Sequence, residues 1–199
     1  MATWFQRRRA HRRLRTHVGL WYHPKYRVEE LGETSRVPGV EVDRAEKILG
    51  ALSVEGLVRP KQIRPSPIIK LKDLALVHAD AYLGRTAEPE YLGRIFGLES
   101  TDIDVDPVLT AQRRQVGGTV EAAKWALAGP GRVAFNVGGG FHHAEPESGG
   151  GFCVYNDIAV AIACVRRDGF AGTIAIVDLD YHQGNGNIVT FEDDDTVFT

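Results

Sequence analysis

Residues 133–143, VAFNVGGGFHH, residues 157–167, DIAVAIACVRR, and residues 173–186, TIAIVDLDYHQGNG, decide the fold. The apolar runs Val133–Val137 and Thr173–Val177 have strand length, and Asp157–Arg167, closed by Gly169, has helical length and periodicity. Strand, helix, strand is the unit of a parallel sheet. Runs with so little polar alternation suit strands covered on both faces, so the sequence predicts an α/β protein built on a parallel sheet. A third strand is expected to start at Thr196.

In open parallel sheets, sites collect beyond the carboxyl ends of the strands. Both ends here carry chemistry. The first run leads through Gly138–Gly140 into His142 and His143, and the second into Asp178, Asp180, His182 and Asn185. At a strand's period of two, Asp178, Asp180 and His182 project to one side if the chain stays extended. A carboxylate and an imidazole so placed can chelate zinc, iron(II) or manganese, and spacing alone does not choose among them. Adjacent histidines can divide the base and electrostatic tasks of metal-assisted hydrolysis. Plainer alternatives stay open on spacing: aspartates capping a turn, and a solvated histidine pair in a glycine loop.

Upstream, apolar residues recur at helical spacing between Val40 and Leu57, after a Pro38-Gly39 break. Asp73 and Asp80 are expected to cap two short helices. Asp106-Pro107 reads as a helix start, with the acid as N-cap and the helix running to Leu127. Gly117-Gly118 inside that helix is tolerable only if another element packs closely there.

Composition bounds the function. The 199 residues, 43% apolar and 25% charged, suffice to bury about 70% of the unfolded surface, which excludes disordered and collagen-like classes. No long charge-free stretch suits a membrane span. Residues 1–28 hold eight bases and no acid, leaving 16 basic against 26 acidic residues in the remainder. The body is therefore a poor partner for nucleic acid, and attraction for polyanions is confined to the leader. Residues 1–17 lack the apolar core of a secretory signal; composition predicts a disordered basic leader, with the folded domain over 18–199. Two cysteines, Cys153 and Cys164, make no framework and suit a reducing cytoplasm. Cys153 reads as a buried structural thiol, His78 as a surface or packing residue. There is neither GxxxxGK[ST] nor GxGxxG, so nucleotide-binding readings fail.

The runs NVGGGFHHAEPESGGGFCVYNDIAVAI (136–162) and VDLDYHQGNG (177–186) resemble the zinc-dependent histone deacetylase family, which includes bacterial acetoin-utilization and acetylpolyamine deacetylases. The two motifs look most like its class IV branch. Weaker likeness runs through LVHADAYL (76–83) and RRQVGGTVEAAKWAL (113–127), so the resemblance covers about Val18 to Thr199. It implies a three-layer arginase/deacetylase-like α/β fold, incomplete at the C-terminus, and a hydrolase releasing acetyl or acyl groups from lysine, polyamine or small-molecule amines.

Carried over residue by residue, the resemblance makes Asp180 and His182 two of three zinc ligands, with iron(II) as the other candidate metal. His143 would be the general base toward water and His142 its electrostatic partner. Asp178 would orient His142, and Asn185 would be the polar partner of His143. Asp178, Asp180 and His182 would also border a structural potassium or sodium ion, and Gly151 and Phe152 would line the acyl channel. A binuclear arginase-like manganese site wants an acid two residues after the histidine, where Gly184 stands. The resemblance places the third ligand, an aspartate, and the oxyanion tyrosine beyond residue 199, so the chain is expected to be a fragment. The competing expectation is a non-catalytic acyl-amine binding module.

Overall fold

The computed structural model describes residues 2–28, 43–98 and 103–199. The Pro38-Gly39 break and the first residues of the helix expected from Val40 lie outside them. Helix α1 spans Trp4–Thr16, strand β1 Val18–Tyr22, helix α2 Arg44–Val54 and strand β2 Arg64–Pro65. Three short helices follow, α3 (Leu71–Leu74), α4 (Asp80–Arg85) and α5 (Pro89–Ile95), then the long α6 (Val105–Leu127). Strand β3 (Val133–Asn136), α7 (Asp157–Arg167), β4 (Ile174–Ala175), α8 (Asn185–Thr190) and β5 (Val197–Phe198) complete the order.

Among the described residues, every pairing between strands is parallel. One sheet has the order β2-β1-β3, with Val18 opposite Val133 and Trp21 opposite Asn136; β4 and β5 form a second pair. Alternation along β1 explains the layering. Leu20 packs with Leu49 and Val58, against which Leu14 of α1 also rests, whereas Trp21 meets Trp125 of α6 edge-on with centroids 5.9 Å apart. Helices thus cover both faces of β1. The larger core lies between α6 and α7 and includes Val108, Val116, Val120, Val160 and Cys164.

The double glycine of α6 is explained by close approach. A Cβ at Gly117 would stand 2.1 Å from the Pro67 carbonyl oxygen, and one at Gly118 would stand 2.2 Å from the Tyr26 hydroxyl. No larger residue fits without moving the 66–69 segment.

Within the basic leader, Thr3 caps α1 reciprocally with Gln6, and His11 Nδ1 donates to Gln62 Oε1 at 2.8 Å, joining the helix to the body. Composition alone does not reveal that partner. Three expectations need correction. Asp73 and Asp80 are not caps; Asp73 lies within α3, where Arg167 of α7 donates to it, and Asp80 is the first residue of α4. Helix α6 begins at Val105 after Asp104, so Pro107 falls third, where an absent N–H still costs nothing. Lastly, β3 is covered on one face only. Val133 and Phe135 are 50% and 54% exposed while Ala134 and Asn136 turn inward; the run is apolar on both faces, but described elements cover one.

Candidate active site

The site forms where the chain leaves β3 and where it leaves β4. Asp157, the first residue of α7 and fully buried, gathers the glycine turn. Its carboxylate accepts from Gly140 N at 3.1 Å, Phe141 N at 2.7 Å and Thr119 Oγ1 at 2.5 Å. Thr119 in turn accepts from Asn136 Nδ2 at 2.8 Å, so β3, α6 and α7 converge on one carboxylate. Charge-assisted acceptance from backbone N–H groups fixes the loop that delivers the two histidines.

His142 is buried, 7% exposed, and its Nδ1 donates to Asp178 Oδ2 at 2.7 Å. His143 donates from Nδ1 to Asn185 Oδ1 at 2.6 Å. The rings lie 4.2 Å apart between centroids, and His182 stands 5.7 Å from His143. Each imidazole therefore spends an Nδ1 proton on a separate oxygen, and its neutral form carries the lone pair at Nε2. The His142 hydrogen bond, followed by the Asp180 N–H, holds the Asp178 carboxyl below the usual aspartate range.

Asp180 and His182 lie further out, with side chains 53% and 67% exposed. Asp180 Oδ1 accepts the backbone N–H of His182 at 2.8 Å, which with lesser help from the ring depresses its pKa. It also stands 3.1 Å from His182 Nδ1. Adjacent ligand atoms of a tetrahedral zinc, with bonds of about 2.0–2.1 Å, lie roughly 3.3 Å apart, so these two atoms fit two corners of such a site. Among the described residues no group of three or more His, Cys, Asp or Glu side chains is gathered in a metal-holding arrangement.

Gly151 and Phe152 are both at positive φ, +53° and +68°. A Cβ at Gly151 would lie 2.5 Å from His143 Cδ2 and 3.3 Å from Nε2, so the Nε2 edge of that ring borders the turn expected to line the acyl channel. Cys153 is buried, its thiol pushed up to about 12 chiefly by burial, which agrees with a structural role.

Two residues at this site escaped the sequence reading. His78, taken as packing, donates from Nδ1 to the Glu145 carbonyl and accepts from Asn156 N at Nε2, both at 3.0 Å. Glu145 accepts from Asn185 Nδ2 at 2.8 Å. These contacts join residues 40 to 78 positions apart, and only a hint in LVHADAYL marks one of them. Asn156 extends the web, capping α7 through Ala159 N and donating to Asn187 of α8 at 2.9 Å.

A histone deacetylase domain profile matches residues 40–199. An uncharacterized protein of Picosynechococcus sp. is 39% identical over 182 residues, covering 89% of this chain and 57% of its own length. Histone deacetylase 2 of Arabidopsis thaliana is 33% identical over 189 residues, covering 91% of this chain and 47% of its own. The crystal structure of a histone deacetylase homologue from Aquifex aeolicus superimposes with a TM-score of 0.68 at 26% identity, covering 92% of this chain and 50% of that one. The chain thus spans about half the length of the curated relatives it matches. Its arginase/deacetylase-like α/β fold, twin-histidine turn and matched profile agree: the chain belongs to the histone deacetylase family.

Proposed function

We propose that these residues form one half of the active site of a zinc-dependent amidohydrolase that removes acetyl or related acyl groups from lysine or polyamine nitrogen. The carrying observation is the pair of imidazoles, each anchored through Nδ1 to its own oxygen, beside the Asp180–His182 donor pair. When bound, zinc, or iron(II) in its place, supplies Lewis-acid polarisation of the amide carbonyl and a more acidic water. Asp180 Oδ1 and His182 Nδ1 would hold the ion, and the third protein ligand and the oxyanion donor would come from outside these 199 residues. His143 Nε2 takes the proton of the attacking water. His142, held by Asp178, stabilises charge near the departing amine. Gly151 and Phe152 border the passage for the acylated side chain. A potassium or sodium ion beside the Asp178–His182 segment would brace it. Two free, buried cysteines support a cytoplasmic setting, and among the described residues no helix is long and apolar enough to cross a membrane.

The test is hydrolysis of an acetyl-lysine peptide and of an acetylated polyamine by the longest polypeptide containing this chain. His143→Ala should abolish turnover while elemental analysis still finds zinc; retained turnover would remove His143 from the reaction. A second reading, a non-catalytic acyl-amine binder, draws on the two-donor count among the described residues. Stoichiometric zinc together with deacetylation by the 199-residue chain would contradict it.

A further inference from the structure

Asn185 stands between His143 and Glu145: it accepts from His143 Nδ1 at 2.6 Å and donates from Nδ2 to Glu145 Oε1 at 2.8 Å. An asparagine amide can be turned end for end, and nothing in the residue selects which end meets the histidine. Glu145 does select. An ionised carboxylate only accepts, so the NH2 end must face Glu145 and the carbonyl end must face His143. The imidazole proton then has to sit on Nδ1, which leaves the lone pair on Nε2, the edge that borders Gly151. His142 needs no such relay, because Asp178 is itself a carboxylate.

Glu145 is held from several sides for this task. Its N–H donates to Ser148 O at 2.8 Å, its carbonyl accepts from His78 at 3.0 Å, and its Oε2 accepts from Ser148 Oγ at 3.3 Å. Pro146 next door accepts from Ala79 N at 2.9 Å, which fixes the same turn to the start of α4. The carboxylate is thereby aimed at Asn185 rather than free to turn into solvent.

We propose that Glu145 is a positioning residue that dictates, through Asn185, which nitrogen of His143 carries the proton. This rests on reading His143 as the general base, yet the protonated nitrogen is observable without turnover. In chain labelled with 15N-histidine, long-range proton–nitrogen correlations at alkaline pH, with His143 assigned by its loss in His143→Ala, report the tautomer. The unsubstituted chain should show a pyrrole-like Nδ1 and a pyridine-like Nε2. Glu145→Gln offers an amide that can itself be turned to donate or accept, so it should give a mixture of tautomers. Glu145→Lys puts a donor where the acceptor was, should reverse the amide and should move the proton to Nε2. Glu145→Met removes the polar partner and should give a mixture.

An Nδ1-protonated His143 at full occupancy in both Glu145→Lys and Glu145→Met overturns the proposal; should the lysine variant fail to fold, the methionine variant decides by the same criterion. Where turnover is measured, Glu145→Lys should lower kcat by about 100-fold or more at unchanged KM, because a base with its proton on the wrong nitrogen cannot accept. Glu145→Gln, with its mixture of tautomers, should lose only a few-fold. The expected tautomers in a chain that hydrolyses nothing would defeat the functional proposal and leave this one standing. Hydrolysis with a tautomer indifferent to Glu145 would do the reverse.

Discussion

His78 and Asn156 are joined by a backbone N–H donated to Nε2 at 3.0 Å, so the imidazole must be neutral for the start of α7 to keep its partner. Burial lowers the His78 pKa from 6.5 to about 4. Between those values the unfolded chain binds a proton that the native ring refuses. Stability is therefore fully present above about pH 6.5 and falls as the pH drops toward 4, with a total on the order of 3 kcal/mol. Urea unfolding across that range should show a steeper loss for the unsubstituted chain than for His78→Gln. Equal slopes would mean that His78 does not carry this dependence.

Asp157→Asn should destabilise the fold and loosen the histidine turn together. The substitution keeps the volume but replaces a carboxylate that accepts from Gly140 N, Phe141 N and Thr119 Oγ1. A loss of about 2–4 kcal/mol is expected from weakened charge-assisted bonds and a misplaced NH2 group. Denaturant midpoints measure the first effect, and the amide exchange rates of Gly140 and Phe141 measure the second.

Gly151→Ala should act on His143 rather than on the fold at large. The added methyl would lie 2.5 Å from the ring at a backbone φ of +53°, costing about 1 kcal/mol in conformation alone. A ring displaced by an ångström should lower kcat by about 100-fold in the active polypeptide. Thermal unfolding and steady-state kinetics separate the two losses.

Cys153 should be inert in the native state. With its thiol pushed up to about 12, roughly one molecule in 10,000 is thiolate at pH 8. Iodoacetamide labelling followed by mass spectrometry should find Cys153 protected until denaturant is added, and rapid native labelling would contradict its burial.

The sequence was most legible where local chemistry and tertiary structure agree. Helix α7 matches its expected bounds, because Asn156 caps it, its apolar period is strong and Gly169 closes it at φ +102°. Gly117-Gly118 announced a close crossing that the structure supplies at Pro67 and Tyr26. The three polar residues singled out around the histidines each meet one: Asp178 meets His142, Asn185 meets His143, and Asp180 meets His182. Less legible was anything resting on a distant partner. The partner of α1 lies 51 residues from His11, and Glu145 meets Asn185 across 40. Strand β3 misled for a different reason, since apolar side chains on both faces say nothing about whether both are covered.

The two strand systems are not bridged by any ladder among the described residues, and polar contacts cross between them. Among the described residues five hydrogen bonds join the segment between β3 and the Asp157 helix to the residues after β4: His142 to Asp178, His143 to Asn185, Asn185 to Glu145, Asn156 to Asn187, and Gly186 N to the His142 carbonyl at 2.8 Å. The bonds that orient the two imidazoles are thus among those that close this seam. Parting the seam would take the Nδ1 partner from both rings at once.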